Sequence, residues 1–300
     1  MKAMAPGKLL LTGAYAVLEG APAIVVAVDR YAVADASRRA VDAAAEVRAA
    51  LGDGPAPTVD AAALRDPTGR KLGLGSSAAA LVASLGALAL ARGEDLRAQP
   101  VRSRILREAR QAHARVQGGG SGVDVAASVH GGVLRYELDT AGAATLRPVD
   151  LPAGLCVLAY DSGTSARTCD MRARYDALRA GAPEDRAIAG LVAAAREACA
   201  ALEAGDARAF VAGAREYAGS LDALGRAAAS PIVPPRFAEL AALAAREGAA
   251  FLPSGAGGGD VAVWLGLAAP SSAFAARAAA LSMRTLPLGI DRGGLRPSSP

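Results

Sequence analysis

Only three of the 33 basic residues are lysines (Lys2, Lys8 and Lys71), and two of these adjoin glycine-rich segments. A compact ammonium on a flexible stem suits a moving phosphoryl group better than arginine's planar fork. The rarity of lysine therefore marks Lys8, which follows Gly7, and Lys71, which opens KLGLGSSAAA (71–80), as candidate chemical groups. In that stretch Gly73 and Gly75 free the backbone to turn. Ser76 and Ser77 then open an apolar run that reads as a buried helix. Serine is a good N-cap, with Ser76 the expected cap here, and a helix's first turn offers unpaired N–H groups carrying partial positive charge. Glycines, hydroxyls and a helix N-terminus together make a phosphate site. The plain alternative is an ordinary glycine turn before a core helix. A second glycine-rich loop, GGGSG (118–122), runs into an acid, Asp124, and a third, PSGAGGGD (253–260), ends on Asp260. Three such loops, two isolated lysines and a loop-borne acid are the parts of a phosphoryl-transfer site.

Several other chemistries are excluded. GLGSSA matches the G-x-G-x-x-A dinucleotide fingerprint, with Glu94 and Asp95 near the ribose-acid position. That motif needs a buried strand entering the first glycine, and LRDPTGRK is too polar to be one. No G-x-x-x-x-G-K-[ST] loop and no H-R-D or D-F-G pair is present. Aromatics make up 4% of the chain, too few for base-stacking platforms, so nucleic acid is not an expected partner. The net charge of +4 is unclustered and suits a small anionic substrate. Cys156, Cys169 and Cys199 show no paired spacing and read as reduced thiols in a cytoplasmic protein. Two histidines without a cysteine cluster argue against zinc. The start superficially mimics a signal peptide, but its apolar core is broken by Thr12 and Gly13, and no stretch has the length of a membrane span. A retained N-terminus is expected.

The elements that must hold these groups follow from periodicity. Strands are expected at 8–12 and 23–34, then a strand-poor segment at 35–70, and helices at 76–92, 101–117 and 123–129. A strand is expected at 131–138. The stretch 140–152 reads as the boundary between an N-terminal domain, 1–150, and a C-terminal domain, 151–300. The second half reads strand (155–160), helices (170–180, 184–204, 206–226, 235–247), strand (249–252), strand (261–267), helix (271–281), strand (284–288). That is the ferredoxin-like βαββαβ plan with inserted helices. The tail GGLRPSSP reads as frayed.

Four segments then make a resemblance specific: APGKLLLTGAYAVLEG (5–20), KLGLGSSAAALV (71–82), GGGSGVDVAASVHGG (118–132) and PSGAGGGDVAVWL (253–265). In order and across the whole chain, they resemble the motifs of the GHMP superfamily of small-molecule kinases. Tyr15 in motif 1, Lys71 entering motif 2, AHARVQGGGSGVDVAAS (112–128), SGTSARTCDM (162–171) and Asp260 in motif 3 resemble its phosphomevalonate kinase branch. The resemblance implies an α+β, two-domain fold: an N-terminal domain like ribosomal protein S5 domain 2, which binds ATP, and a C-terminal ferredoxin-like domain. It implies ATP-dependent phosphorylation of (R)-5-phosphomevalonate to 5-diphosphomevalonate, with Mg²⁺, in a cytoplasmic monomer or homodimer. Mevalonate kinase, another small-molecule kinase of the superfamily, or a catalytically silent nucleotide-binding regulator are the alternatives.

Carried over residue by residue, the resemblance implies Asp124 and Lys8 as catalytic groups. It implies Lys71, Gly73, Leu74, Gly75, Ser76, Ser77 and Ala78 at the nucleotide, with Ser77 on the metal. For the acceptor it nominates Lys8, Tyr15, Lys71, Ser121, Gly122, His130, Arg167, Gly257 and Asp260, the loop 255–260 closing over the site. Two departures stand out: the stretch from Gln117 to Gly120 is one residue shorter than the pattern, and His113 occupies the place of a magnesium-binding glutamate. Histidine is a poor magnesium ligand.

Overall fold

The computed structural model describes residues 1–165, 168–182 and 185–298. In chain order the elements begin β1 (Lys2–Thr12), β2 (Ala23–Arg39), α1 (Ala45–Leu51), β3 (Pro57–Asp60), α2 (Ser76–Ala91), α3 (Gln99–Gln117), α4 (Val123–His130), β4 (Val133–Leu138) and β5 (Ala144–Pro148). They continue β6 (Cys156–Asp161), α5 (Thr168–Gly181), α6 (Arg186–Glu203), α7 (Ala207–Ala227), α8 (Pro235–Arg246), β7 (Ala250–Pro253), β8 (Val261–Gly266), α9 (Ser272–Ala280), β9 (Arg284–Leu286) and β10 (Arg296–Pro297). One sheet runs β10-β1-β2-β4-β5 with β3 paired to β2, and the other runs β7-β8-β6-β9. Contacts group the chain into two interleaved units: Met1–Leu9 with Val25–Leu134 and Gly289–Pro300, and Leu10–Ile24 with Arg135–Leu288.

The first unit is built around α2, whose AAALVASLGALALA stretch is buried almost all round. A helix apolar on every face belongs in a core. Gly86 on α2 is needed because a Cβ there would stand 2.5 Å from Leu295 Cδ1. Leu295 is fully buried, and the next two residues pair with β1 through Ala3↔Pro297 and Met4↔Arg296. The tail through residue 298 is therefore not frayed as its composition suggests. Asp291 anchors it, accepting from the Gly294 N–H at 2.7 Å, the Tyr31 hydroxyl at 2.9 Å and Arg296 at 2.8 Å.

One further expectation needs correction. The segment 35–70 is not strand-poor: β2 runs on to Arg39, and β3 pairs with it across a register shift between Asp35 and Arg39. That segment also contains α1. The stretch 140–152 contains β5, a short, partly exposed strand at the edge of the first sheet.

The second sheet, which lies in the second unit, pairs its four strands antiparallel, β6 and β8 central, with β9 beside β6 and β7 beside β8. This is the split βαβ arrangement expected for a ferredoxin-like plan. Helices α5–α8 are the insertion between its first two strands. The sparse aromatics concentrate here: Tyr160, Phe237, Phe251, Trp264 and Phe274 form one buried cluster. Trp264 and Phe274 meet edge-on, with centroids 4.6 Å apart, a favoured geometry for ring quadrupoles. Among the described residues no helix is long and apolar enough to cross a membrane.

Candidate active site

The loop KLGLG is anchored by its leucines. Leu72 and Leu74 are buried, while Gly73 and Gly75 each adopt φ 75°, a left-handed conformation open to glycine. The Leu72 N–H donates to Leu64 O at 3.1 Å, and the Lys8 N–H donates to Leu74 O at 2.9 Å. Gly7 permits this approach, since a Cβ there would lie 2.6 Å from the Leu74 oxygen. Motif 1 is thereby fixed against motif 2, and Lys8 Nζ donates to Gly73 O at 3.1 Å. The cap residue of α2 is Gly75 rather than Ser76, and no side chain caps the helix. Ser76 and Ser77 are its first two residues, one and two positions past the cap. No side-chain cap therefore takes up the N–H groups of the first turn. Lys71 Nζ lies 3.5 Å from Ser77 Oγ.

Helix α3 ends on Gly118 in the left-handed conformation, and α4 begins after Gly122, also left-handed. A Cβ on Gly122 would lie 2.8 Å from the Arg110 side chain. Ser121 Oγ accepts from the Val123 N–H at 3.3 Å. Asp124, in the first turn of α4, accepts at Oδ1 from the Val125 N–H at 2.9 Å, and its Oδ2 lies 3.4 Å from His113 Nε2. A Cβ placed on Gly75 would be 3.1 Å from Lys8 Cγ and 3.7 Å from Asp124 Cβ. Lys8, the phosphate-type loop and Asp124 therefore converge around Gly75. The first unit gathers Lys8, Lys71, Gly73–Ala78, Ser121, Gly122 and Asp124.

His130 is not in that group. It is the last residue of α4, about 9 Å along the helix axis from Asp124. Its Nε2 is buried without a hydrogen-bond partner, and burial, reinforced by Arg102, holds its pKa below the usual imidazole value. Among the described residues no group of three or more His, Cys, Asp or Glu side chains could hold a metal. The donors present fit a magnesium ion bound chiefly through a nucleotide's phosphates, with one hydroxyl from Ser77.

The second unit holds Tyr15 and the loop 254–260. Tyr15 sits at φ 60°, strained for a bulky residue. Its ring packs on Tyr175 at 5.0 Å, and its hydroxyl donates to Ala256 O at 2.6 Å. Gly257 has no room for a side chain, its Cβ position lying 2.1 Å from Ile232 O. Asp260, at φ 55°, donates its N–H to Thr164 O at 3.1 Å and accepts from the Ser162 N–H at 2.9 Å. Arg236, which no sequence motif singles out, donates to Ser162 O at 3.0 Å and Thr164 Oγ1 at 2.5 Å. It ties down the segment that leads to Arg167. Arg167 itself lies outside the described residues.

The model of the GHMP kinases N terminal domain matches residues 37–132. A phosphomevalonate kinase from a Streptomyces species is 30% identical, covering 87% of this chain and 88% of the relative. A mevalonate kinase from Aeropyrum pernix is 35% identical over 46% of this chain and 41% of its own length. The crystal structure of the Streptococcus pneumoniae phosphomevalonate kinase in complex with phosphomevalonate and AMPPNP superposes with a TM-score of 0.79 at 18% identity, covering 97% of this chain and 99% of that one. The 30% identity to the Streptomyces phosphomevalonate kinase, over 87% of this chain and 88% of that relative, makes this chain a member of the GHMP kinase family of small-molecule phosphotransferases.

Proposed function

We propose that this kinase transfers the γ-phosphoryl group of ATP to (R)-5-phosphomevalonate, giving 5-diphosphomevalonate and ADP in the mevalonate route to isoprenoids. The observation that carries this reading is the second lysine at the loop, Lys71, whose Nζ lies 3.5 Å from Ser77 Oγ at the start of α2. An acceptor that is itself a phosphate brings one anion against another, and that repulsion calls for a cation in addition to Lys8.

In the proposed reaction an ionised oxygen of the acceptor phosphate forms a bond to the γ-phosphorus. The bond from that phosphorus to the β–γ bridging oxygen breaks, and ADP leaves with the electron pair. Because the attacking oxygen is already ionised, charge neutralisation and alignment outweigh proton removal. Lys8 and Lys71 supply the neutralisation, and the backbone of Gly73–Ala78 cradles the nucleotide's phosphates. Asp124, across Gly75 from Lys8, orients the lysine and the acceptor oxygen. Ser121 and Gly122 lead into its helix and contact the acceptor. A magnesium ion would add further neutralisation at the nucleotide, with Ser77 as its protein ligand.

The partial match to a mevalonate kinase favours a second reading, in which mevalonate is the acceptor. One assay separates them: ADP release with mevalonate, phosphomevalonate, galactose and homoserine, for wild type and Lys71→Met. Phosphomevalonate is the expected acceptor, and Lys71→Met lowers kcat/KM for it by about 10- to 150-fold, the worth of one charge-assisted bond. A wild type that prefers mevalonate, or a Lys71→Met variant unchanged with phosphomevalonate, overturns the reading. A chain that binds ATP and turns over none of the four would instead be a nucleotide-binding regulator.

A further inference from the structure

We propose that His113 is the positioning residue of Asp124, holding its carboxylate by an imidazole N–H where a carboxylate-and-metal pair would otherwise do so. The proposal rests on the phosphotransfer role given to Asp124 above. Its basis is geometric. Arg110, His113 and Gln117 share one face of α3, at spacings of three and four residues. Each meets a different part of the second glycine loop's surroundings. Arg110 lies under Gly122, His113 faces Asp124, and Gln117 donates to Glu46 Oε1 of α1 at 2.9 Å.

His113 Nε2 and Asp124 Oδ2 are 3.4 Å apart, and both side chains are mostly covered, at 13% and 20% exposure. The other oxygen, Oδ1, accepts from the Val125 N–H. Asp124 thus accepts a hydrogen bond at one oxygen from its own helix and faces the imidazole of a neighbouring helix with the other. A separation of 3.4 Å is long for a hydrogen bond, but contacts between catalytic groups commonly tighten once substrate is bound. A glutamate at 113 would repel Asp124 and require a cation between them. Histidine reverses the sense of the contact, because it donates to the carboxylate and needs no shared metal. In a site that must already accommodate the anions of two substrates, that exchange removes one negative charge from beside the reacting oxygens.

The test compares wild type, His113→Leu and His113→Gln using the acceptor that wild type turns over best. The glutamine amide can place an N–H near the Nε2 position, whereas leucine fills similar space without a donor. Expected is a fall in kcat of about 10- to 150-fold for His113→Leu. KM for ATP should stay within about threefold and the melting temperature should hold, while His113→Gln recovers most of the loss. A merely structural histidine would not give this split or this rescue. Retained kcat in His113→Leu, or equal loss in both variants, overturns the proposal. The ranking of variants is read on any acceptor, so a wrong acceptor would sink the function reading and leave this one standing.

A second measurement does not depend on turnover. The chain has two histidines, so a ¹⁵N imidazole spectrum is assigned by His113→Gln alone. Asp124→Asn is expected to shift the His113 Nε2 resonance and leave that of His130 in place. An unmoved His113 resonance overturns the proposal whatever the kinetics.

Discussion

The ammonium of Lys8 donates to the carbonyl oxygen of Gly73 at 3.1 Å, while the Lys8 backbone N–H holds the next carbonyl, that of Leu74, at 2.9 Å. The lysine is therefore fixed by its main chain to the loop on which its side chain rests. A neutral carbonyl is a weaker partner for an ammonium than a phosphate oxygen, so the side chain can exchange one for the other while its backbone stays in place. Lys8→Met is expected to fold normally and to lose about 10²- to 10³-fold in kcat, the span of a transition-state charge contact. Coupled ADP release and a thermal melt on the same preparation check this. A variant with wild-type kcat would remove Lys8 from the chemistry.

What was legible in the sequence was what is locally unusual. Lys8, Lys71 and Asp124 stand beside glycines in a chain that rarely uses lysine, and the strand–helix order of the second unit follows from periodicity. The tail was not legible, because its structure lies in distant partners. Leu295 is a single apolar residue in a glycine–proline stretch, and only the fold brings it over Gly86. The contact of His113 with Asp124 was hidden for the same reason: the residues lie on separate helices joined by a glycine loop. Ser76 misled because serine before an apolar run is a good cap in general, whereas Gly75 takes the position here.

The buried tail gives a stability prediction. Leu295→Ala opens a cavity against α2 and is expected to cost about 2–5 kcal/mol. Leu267→Ala, at a residue 45% exposed, should stay within about 0.5 kcal/mol. Urea unfolding of both variants makes the comparison. If the two cost the same, the tail is not part of the packed core.

Burial, the leading cause in each, raises the pKa of Tyr15, Tyr175 and Tyr217 well above the ordinary phenol value, with hydrogen bonding to Glu19 adding to it at Tyr175. The folded chain then keeps protons that the unfolded chain releases. Stability from these groups is complete below about pH 10 and is lost as pH rises beyond it. In an absorbance titration, these three tyrosines should ionise only as the chain unfolds. All six tyrosines of the chain titrating near pH 10 with the circular dichroism spectrum intact would contradict their burial.

Gly75 carries two separate constraints, and a paired substitution separates them. Its φ of 75° is unfavourable for any residue with a side chain, costing about 1–2 kcal/mol as alanine. Gly93, just past the end of α2, has φ 78° and nothing within 4 Å of its Cβ position. Gly93→Ala therefore bears the conformational cost alone. Gly75→Ala bears it too, but its methyl also stands 3.1 Å from Lys8 Cγ and 3.7 Å from Asp124 Cβ. A flexible lysine stem can give way by a few tenths of an ångström, so the fold should survive at similar stability. The displaced lysine, however, sits where small misplacements weigh heavily on rate. Both variants are expected to melt alike, with Gly93→Ala near wild-type kcat and Gly75→Ala lower by about 10-fold or more. Should Gly75→Ala keep full turnover, the close approach of Lys8 and Asp124 around this glycine has no part in catalysis.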